Sequence, residues 1–319
     1  MKLLFVTSTR IGDAVLSTGI LGHLLDVHQD LRVTVACGPA AAPLFAALPN
    51  LERVIALEKR PLAGHWLRLW AACALHYWDM VVDLRASVLA YLLVAGRRRV
   101  MCRTRAPGHR MYQLARVLGL EDPPVPRVWL DSGHRQAAER LIPAGSPVVG
   151  LGPTANWAQK IWPAERFVAL FRRLSGPDGP LPGARAAVFG GPGERDLAAP
   201  VLDALEPARR VDLVDSADLL TVAACLERCE LFVGNDSGLM HLAAAVGIPT
   251  LGLFGPSQPE EYAPWGSLGA AVRTEASFEE LTGPGFDHRG TDSLMGSLTL
   301  ETVEATARAL LARTRGAAA

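Results

Sequence analysis

The chain has 319 residues, 50% of them hydrophobic and 20% charged, and its formal net charge is zero. That length is enough for two domains with large cores, whereas five scattered cysteines argue against a disulfide framework and no run of about 18 apolar residues is available to span a bilayer. Because Arg10 and Asp13 interrupt the apolar N-terminus, no signal peptide is expected and the protein is predicted to be cytoplasmic.

The charges are divided unevenly between the two halves of the chain. Residues 1–146 carry 18 basic and 11 acidic side chains, so this half is positive and the remainder is equally negative. Much of the excess lies in "GRRRVMCRTRAPGHRMYQLAR", residues 96–116, which has seven arginines and no acidic residue. Two interpretations stay open: a solvated surface, or a polyanion site to which Arg97, Arg98 and Arg99 contribute.

Short apolar runs alternate with helical patterns along the whole chain. The clearest strands are predicted at residues 3–6, 32–36, 80–84, 148–151, 186–189, 231–233 and 250–254. This alternation is typical of parallel sheets covered by helices. We therefore expect an α/β fold with two Rossmann-like, doubly wound domains whose binding loops face a central cleft.

The first predicted strand leads into the turn "STRIGDAV", residues 8–15, and then into a helix. Nucleotide-binding folds normally have a glycine-rich turn here, because backbone N–H groups at the helix N-terminus cradle a phosphate. This turn lacks GxGxxG, which disfavours a dehydrogenase. It presents a carboxylate instead, Asp13, which is either a helix cap or a reactive group.

The stretch "HWLRLWAACALHYW", residues 65–78, is predicted as one helix on which Trp66 and Trp70 share a face. Its tryptophans belong either to the core or to a face that rests among lipid headgroups. Further along, a Gly/Pro break at residues 144–147 precedes a new strand. The boundary is therefore predicted at residue 146, giving domains 1–146 and 147–319.

The strongest motif is "LFVGNDSGLMHLAAAVGIPTLGLFGPSQPEEYAPWG", residues 231–266. A strand is followed by a polar turn and by a helix that begins near Gly238. Asp236 or Ser237 is expected to cap this helix, and its free N–H groups form an anion site at the positive end of the helix dipole. His241, in the first turn, is able to face the same anion.

Three other loops are expected at the same sheet edge. "GPTANWAQKIWPAERF" places Thr154, Asn156 and Lys160 after the first strand of the domain, and a lysine there can neutralise a diphosphate. "FGGPGERD" places Glu194 where such folds bind a ribose, with Asp196 as the competing candidate. The turn at "VDSADLL" brings the backbone of Ala217 to a position suited to contact a base.

In these motifs the sequence resembles glycosyltransferase family 9, the ADP-heptose:lipopolysaccharide heptosyltransferases. The resemblance rests on "RIGDAVLSTGIL", "WDMVVDLRASVLAYLLVAGRRRV", "QKIWPAERF", "FGGPGERDLA" and "GNDSGLMHLAAAVGIPTLGLFGPSQP". It implies a GT-B architecture with an N-terminal acceptor domain and a C-terminal donor domain, from which the last helix is free to pack back on the N-terminal domain. The reaction it implies is an inverting transfer of a heptose, without metal or other cofactor, from ADP-heptose to a lipopolysaccharide core.

Carried over residue by residue, the resemblance makes Asp13 the catalytic base. Lys160 becomes the diphosphate contact and Glu194 the ribose contact. The remaining donor-binding residues that it implies are Thr154, Asn156, Asp236, Ser237, Gly238 and His241, whereas Ala217 is assigned from its turn alone. Arg10 either holds an anionic group of the acceptor or pairs with Asp13, and the arginines at 97–99 meet the carboxylates and phosphates of the acceptor.

Two alternatives remain: a nucleotide-sugar epimerase of the same fold, and a non-catalytic protein that binds a sugar nucleotide or lipopolysaccharide. The expected partners are the nucleotide-sugar donor, the anionic acceptor and, weakly, an anionic membrane surface, but no nucleic acid. The resemblance thus refines the location to the inner face of the cytoplasmic membrane.

Overall fold

The computed structural model describes residues 1–59, 61–102, 107–287 and 289–318, with no side-chain description for 317 and 318. Arg103 and Arg105, part of the predicted basic segment, lie outside the described residues. Within the described ranges, no helix combines the length and the hydropathy required to cross a bilayer.

The chain divides into two compact units, unit 1 (Met1–Asp131) and unit 2 (Ser132–Ala319). The division falls before helix α5 (Ser132–Leu141) rather than at residue 146, because α5 packs against helix α8 (Leu219–Leu226) of unit 2. The Gly/Pro break at residues 144–147 is thus a turn inside unit 2.

Unit 1 is a parallel sheet with helices on both faces. Its described strands run in the order β3-β2-β1-β4-β5, and all the pairs are parallel. The elements are β1 (Lys2–Val6), α1 (Ile11–Val27), β2 (Arg32–Cys37), β3 (Leu51–Ala56), α2 (Gly64–Cys73), β4 (Trp78–Asp83), α3 (Leu89–Leu92), β5 (Ala95–Val100) and α4 (Arg110–Leu118). Four of the five residues of β1 are fully buried, as expected for a central parallel strand with both faces covered.

Unit 2 repeats this plan with a larger sheet. Its described strands run in the order β11-β10-β9-β6-β7-β8, again all parallel. After α5 the elements are β6 (Val148–Gly152), α6 (Ala164–Ser175), β7 (Arg185–Gly190), α7 (Arg195–Ala204), β8 (Arg210–Val214), α8, β9 (Leu231–Asn235), α9 (Gly238–Ala245), β10 (Thr250–Phe254), α10 (Pro259–Tyr262), β11 (Gly269–Arg273), α11 (Phe278–Leu281) and α12 (Leu300–Ala318). Counted from β6, this is the Rossmann order 3-2-1-4-5-6.

The two sheets confirm the expected α/β class and the seven predicted strands. One local expectation was wrong. The helix predicted over residues 65–78 ends at Cys73, and Trp78 begins β4, where it is 2% exposed and donates its indole N–H to the Cys73 carbonyl. The last helix, α12, packs on α6, β10 and β11 of its own unit, and its expected packing on the N-terminal domain stays a prediction.

Candidate functional site

In unit 2 the chain reverses its winding between two neighbouring strands, β6 and β9. Loops after the carboxyl ends of such strands diverge and leave a crevice, which is where open α/β sheets bind ligands. The loop after β6 carries Thr154, Asn156 and Lys160, and the turn after β9 carries Asp236 and Ser237. The sheet order therefore brings together two motifs that lie about 80 residues apart in the sequence.

An enclosed ion pair joins the two loops at this reversal point. Lys160 Nζ donates to Asp236 Oδ2 over 2.5 Å, and the side chains are only 13% and 10% exposed. The ammonium also lies 4.7 Å from the centre of the Trp157 ring. Asp236 and Trp157 thus hold Lys160 in place from two sides. Asp236 also neutralises the charge of the ammonium, and the sequence did not indicate this ion pair.

Asn235, the last residue of β9, ties the two loops a second time. Its side-chain Oδ1 accepts a hydrogen bond from the backbone N–H of Trp162, 3.1 Å away. Asn235 is fully buried, yet its Nδ2 has no hydrogen-bond partner in the described structure. A buried amide donor without an acceptor is costly, by about 1–3 kcal/mol, and calls for a ligand or another explanation.

Glu194 closes the neighbouring loop after β7. Its Oε2 accepts hydrogen bonds from Thr154 Oγ1 (2.6 Å) and from the Gly191 backbone N–H (2.7 Å). The turn needs the left-handed conformation of Gly193, φ +78°, which only glycine adopts without strain. Asp196 is exposed on α7, so Glu194 is the better-placed of the two acids, with Oε1 making no hydrogen bond among the described residues.

The N-terminus of α9 is uncapped, contrary to the expectation that Asp236 or Ser237 would cap it. Ser237 occupies the N-cap position in extended conformation, φ −148° and ψ 173°, but its side chain makes no capping bond. Its Oγ is buried without a partner, as is the Oγ of Ser257, in the loop that follows the adjacent strand β10. The backbone N–H groups in the first turn of α9, from Gly238 onward, therefore lie at the positive end of the helix without a capping side chain.

The remaining predicted residues of unit 2 lie at the same edge but differ in burial. His241 is 5% exposed on α9, and its ring meets Tyr262 edge-on with centroids 6.2 Å apart. Ala217 is half-buried in the turn before α8, and Asn156 is exposed beside Trp157. Of these three, His241 is the most firmly packed.

In unit 1, Asp13 is the third residue of α1 and is 23% exposed at its side chain. It does not cap the helix, because Arg10 holds the N-cap position and has no side-chain capping bond. Its charged neighbour is Arg110 on α4, whose Nε lies 3.9 Å from Oδ1. The alternative of an Arg10–Asp13 pair was wrong, since Arg10 is exposed and forms no ion pair among the described residues.

The three arginines of β5 have two different environments. Arg98 donates to the carbonyls of Ala90, Leu93 and Ala95 over 2.7–3.0 Å, so its guanidinium holds the α3 segment and is not available to an acceptor. Arg97 and Arg99 are exposed on the other side of the strand, as alternation requires. Of the three arginines expected to bind the acceptor, Arg98 is therefore excluded, and the roles of Arg97 and Arg99 stay predictions.

Unit 1 has a cavity of about 310 Å³ at the carboxyl edge of its sheet. It is lined by Thr9, Leu57, Lys59, Ala63, His65 and Arg85. Thr9 and Arg85 follow β1 and β4, the strands between which the winding of this sheet reverses. Two cations line the cavity without a carboxylate, and the His65 Nδ1 is buried without a hydrogen-bond partner.

The backbone beside this cavity is strained. Ala63 (φ +57°), Leu62 (φ +51°) and Ala86 (φ +51°) all adopt the left-handed region that residues with a Cβ avoid. Such strain, of about 1–3 kcal/mol each, clusters at functional sites. Together, the charge and the strain make this cavity a second candidate binding site.

Comparison with known proteins assigns the chain to a family. Residues 85–281 match the model of "Glycosyltransferase family 9 (heptosyltransferase)", which is more than half of the chain. The chain belongs to glycosyltransferase family 9. It is accordingly an enzyme that transfers a glycosyl group.

Individual relatives have related names. The chain is 31% identical to lipopolysaccharide heptosyltransferase 1 of Pseudomonas aeruginosa over 81% of its own length and 80% of that protein. It is 23% identical to lipooligosaccharide heptosyltransferase 2 of Haemophilus influenzae, covering 86% and 88% of the two chains. The solved structure of Escherichia coli ADP-heptose LPS heptosyltransferase II aligns over 99% of this chain and 100% of that one, with TM-score 0.73 and 20% identity.

This structural match shows that the family 9 chain has the GT-B fold, with two parallel-sheet α/β domains. Its described residues contain no group of three or more His, Cys, Asp or Glu side chains arranged to hold a metal ion. The closely spaced Cys225 and Cys229 are buried, and burial raises the pKa of the Cys225 thiol to about 12. They are therefore core thiols rather than metal ligands.

Sequence reasoning missed five residues that the structure adds to the two sites of this glycosyltransferase. Asn235 ends a buried strand and Ser257 lies in the loop after one, which is a usable signal, whereas Lys59, His65 and Arg85 carry no motif. Their significance depends on three chain segments meeting at one cavity. Only the fold supplies that information.

Proposed function

We propose that this enzyme transfers a heptose from ADP-heptose to the lipopolysaccharide core, with inversion at the anomeric carbon and without a metal ion. Membership of family 9 supports the reaction class. The names of the relatives, lipopolysaccharide and lipooligosaccharide heptosyltransferases, support the sugar and the acceptor. The likeness to the Escherichia coli ADP-heptose LPS heptosyltransferase II supports the donor.

One observation carries the proposal: unsatisfied polar groups collect where β9 and β10 end. Asn235 Nδ2, Ser237 Oγ and Ser257 Oγ are buried without partners, and α9 begins there without a cap. A phosphate accepts hydrogen bonds from groups of this kind, which are two hydroxyls, an amide N–H and the free N–H groups of a helix. A diphosphate bound there meets the positive end of α9 and the ammonium of Lys160.

The charges of Lys160 and Asp236 cancel each other when no ligand is bound. A lysine has three N–H donors, so one can stay on Asp236 while the others bind phosphate oxygens. Asp236 then acts as a positioning residue that aims the ammonium. As the glycosidic bond to the diphosphate breaks, Lys160 and the α9 N–H groups stabilise the departing charge, which is electrostatic catalysis without a metal.

The nucleoside is assigned to the adjacent loops. Thr154 and Gly191 both donate to Oε2 of Glu194, which leaves Oε1 to accept from ribose hydroxyls. The backbone beside Ala217 is assigned to the base, Asn156 to the exposed rim of the site, and His241 to the phosphate-binding helix. These roles are proposals that follow the order of the loops along the sheet.

Asp13 is proposed as the general base. The acceptor hydroxyl oxygen attacks the anomeric carbon opposite the diphosphate, a new C–O bond forms, and the C–O bond to the diphosphate breaks. The hydroxyl proton passes to the Asp13 carboxylate, and the bonding electrons leave with ADP. Attack opposite the leaving group inverts the anomeric centre. Arg110, near Asp13, orients that carboxylate.

The acceptor is assigned to unit 1. Lipopolysaccharide cores carry carboxylates and phosphates, and the lining of the cavity between Lys59 and Arg85 includes two cations and no carboxylate. Arg10, Arg97 and Arg99 are exposed cations of the same unit, and we assign them to the acceptor as well. Because the acceptor is lipid-linked, the proposal also sets the reaction at the inner face of the cytoplasmic membrane.

The test is a reaction of the purified full-length chain with ADP-heptose and heptose-deficient lipopolysaccharide, followed by mass spectrometry and NMR of the product. We expect ADP release and one added heptose of inverted anomeric configuration. Binding of ADP-heptose without turnover would favour the non-catalytic binding protein, and an altered nucleotide sugar formed without acceptor would favour the epimerase.

A further inference from the structure

Exposed apolar side chains are concentrated on one part of unit 1. Among the described residues, 13 large hydrophobic side chains are exposed, and nine of them lie between positions 62 and 94. The exposed fractions are large, for example 68% for Leu67, 62% for Leu92 and 66% for Tyr91. Monomeric soluble proteins rarely expose apolar patches of this kind unless the patch binds something.

We call the exposed apolar side chains on and beside helices α2 and α3 the α2–α3 face: Leu67, Trp70, Val88, Tyr91, Leu92 and Val94. Helices α2 and α3 are in contact, and the Trp70 indole N–H donates to the Leu92 carbonyl. Their opposite sides are packed in the core, through Leu69 and Cys73 on α2 and through Leu89 on α3. Helix α2 is thus apolar on its buried side and on its outer side, and a surface helix of that pattern has an uncovered binding face.

The sequence segment that contains the α2–α3 face is rich in basic residues. Residues 61–118 contain nine arginines and two acidic residues, Asp79 and Asp83. Both carboxylates accept backbone N–H hydrogen bonds, Asp79 from Lys2 and Asp83 from Arg85 and Ser87. Arg68 is exposed within the face itself, and Arg97 is exposed on the neighbouring edge strand.

We propose that the α2–α3 face docks the enzyme on an anionic lipid bilayer. Apolar side chains enter the interface, Trp70 and Tyr91 occupy the headgroup level where such rings are stable, and the arginines meet lipid phosphates. A second copy of the chain fits less well, because a twofold contact through this face would set arginines against arginines. The inference deepens the membrane location included in the proposed function, but vesicle binding requires neither ADP-heptose nor transfer activity, so the two proposals can fail separately.

The test measures binding of the full-length protein to vesicles of phosphatidylcholine with and without phosphatidylglycerol. We expect binding to the anionic vesicles at low ionic strength that weakens as salt is added. Leu67→Ser/Leu92→Ser should reduce the partition coefficient at least tenfold. Arg68→Gln/Arg97→Gln should reduce it by roughly fivefold for each arginine.

Matched controls lie elsewhere on the surface. Val27→Ser/Leu197→Ser removes two exposed apolar side chains outside the face, and Arg140→Gln/Arg172→Gln removes two exposed cations of unit 2, so both should bind as wild type. Circular dichroism and the ADP affinity of every variant report folding independently.

Any one of three vesicle-binding results would overturn the proposal: no binding by the wild type, equal binding to neutral and anionic vesicles, or unchanged binding of Leu67→Ser/Leu92→Ser. A concentration-dependent dimer in sedimentation velocity that this variant abolishes would also overturn it, and would assign the face to a second copy of the chain.

Discussion

Lys160 and Asp236 show how a single ion pair serves both the fold and the proposed site. At 13% and 10% exposure the two charges attract each other through a medium of low dielectric constant. Removing one partner leaves the other buried and unpaired, which costs far more than breaking a surface pair. The pair therefore needs a test that separates stability from ligand binding.

Lys160→Ala should lower the free energy of unfolding by about 3 kcal/mol, because Asp236 is left without its partner. It should also weaken ADP binding by about 1.5–3 kcal/mol, the range for hydrogen bonds to a charged group. Adding Asp236→Asn should restore most of the stability but none of the ADP affinity. Urea unfolding and calorimetry measure the two quantities, and Arg127→Ala, which breaks an exposed pair with Asp26, is the control.

If the double variant regained ADP affinity along with stability, Lys160 would have a structural role only. A single variant with unchanged ADP affinity would lead to the same conclusion.

For single residues, the sequence predicted a functional side chain wherever that side chain belongs to a short motif. Lys160, Glu194 and Asp236 were predicted from the loops that follow apolar strands, and the structure places them at one sheet edge. The Lys160–Asp236 contact and the cavity lined by Lys59 and Arg85 were not predictable. They depend on side chains that come from different loops and are 76 and 26 positions apart.

At the scale of elements, α9 offers a sharp test because its first residue is glycine. Proline is tolerated at the first helical position, where it removes only an N–H that the helix does not use. The preceding Ser237 is already extended, which is the conformation that a following proline requires. Gly238→Pro should therefore leave α9 folded while deleting one proposed phosphate contact.

We expect Gly238→Pro to raise the dissociation constant for ADP at least tenfold, with adenosine binding unchanged. Gly238→Ala, which keeps the N–H group, should stay within threefold of wild type. If proline and alanine had equal effects on ADP, or if proline weakened adenosine equally, the N–H groups of α9 would not be the phosphate site.

The edge strand β5 makes a prediction about stability. Arg98 donates to three carbonyls, whereas Arg97 and Arg99 are exposed on the same strand. Arg98→Ala should destabilise the protein by about 2–4 kcal/mol in urea unfolding, because charged hydrogen bonds to Ala90, Leu93 and Ala95 are lost. Arg97→Ala and Arg99→Ala should each stay within about 0.5 kcal/mol. Equal effects at the three positions would show that Arg98 does not hold the α3 segment.

The strands also show which elements a sequence reveals. All seven predicted strands are interior strands, and their continuous apolar runs reflect burial on both faces. The four that were not predicted, β3, β5, β8 and β11, are the edge strands of the two sheets. Edge strands are partly solvated and carry charges, as "AGRRRV" in β5 illustrates. Their pattern therefore resembles that of a loop.

At the scale of the whole molecule, the uneven charge agrees with the proposed division of labour. The basic half contains unit 1, to which the anionic acceptor is assigned, and the acidic half belongs to unit 2. We propose that the acidic half binds a diphosphate through Lys160 and the N–H groups of α9, and not through its net charge. Raising the ionic strength should therefore increase KM for the acceptor several-fold while KM for ADP-heptose changes less than twofold.

The metal-independent mechanism predicts that chelation leaves the enzyme active. Treatment with EDTA followed by gel filtration should leave kcat within about 20% of the untreated value, since Lys160 and the α9 N–H groups supply the charge stabilisation. A loss of activity that Mg²⁺ or Mn²⁺ restores would contradict the proposed mechanism.

The central claim is that the acceptor is activated by unit 1 while the donor is held by unit 2, and Asp13→Asn tests it most directly. Asn has nearly the same shape but cannot take a proton, so kcat should fall by about 10²–10⁴-fold, the usual contribution of a general base. Calorimetry should give an ADP affinity within threefold of wild type, and Asp26→Asn on the same helix should be fully active. Substantial turnover by Asp13→Asn, or a loss of ADP affinity equal to the loss of activity, would contradict the account.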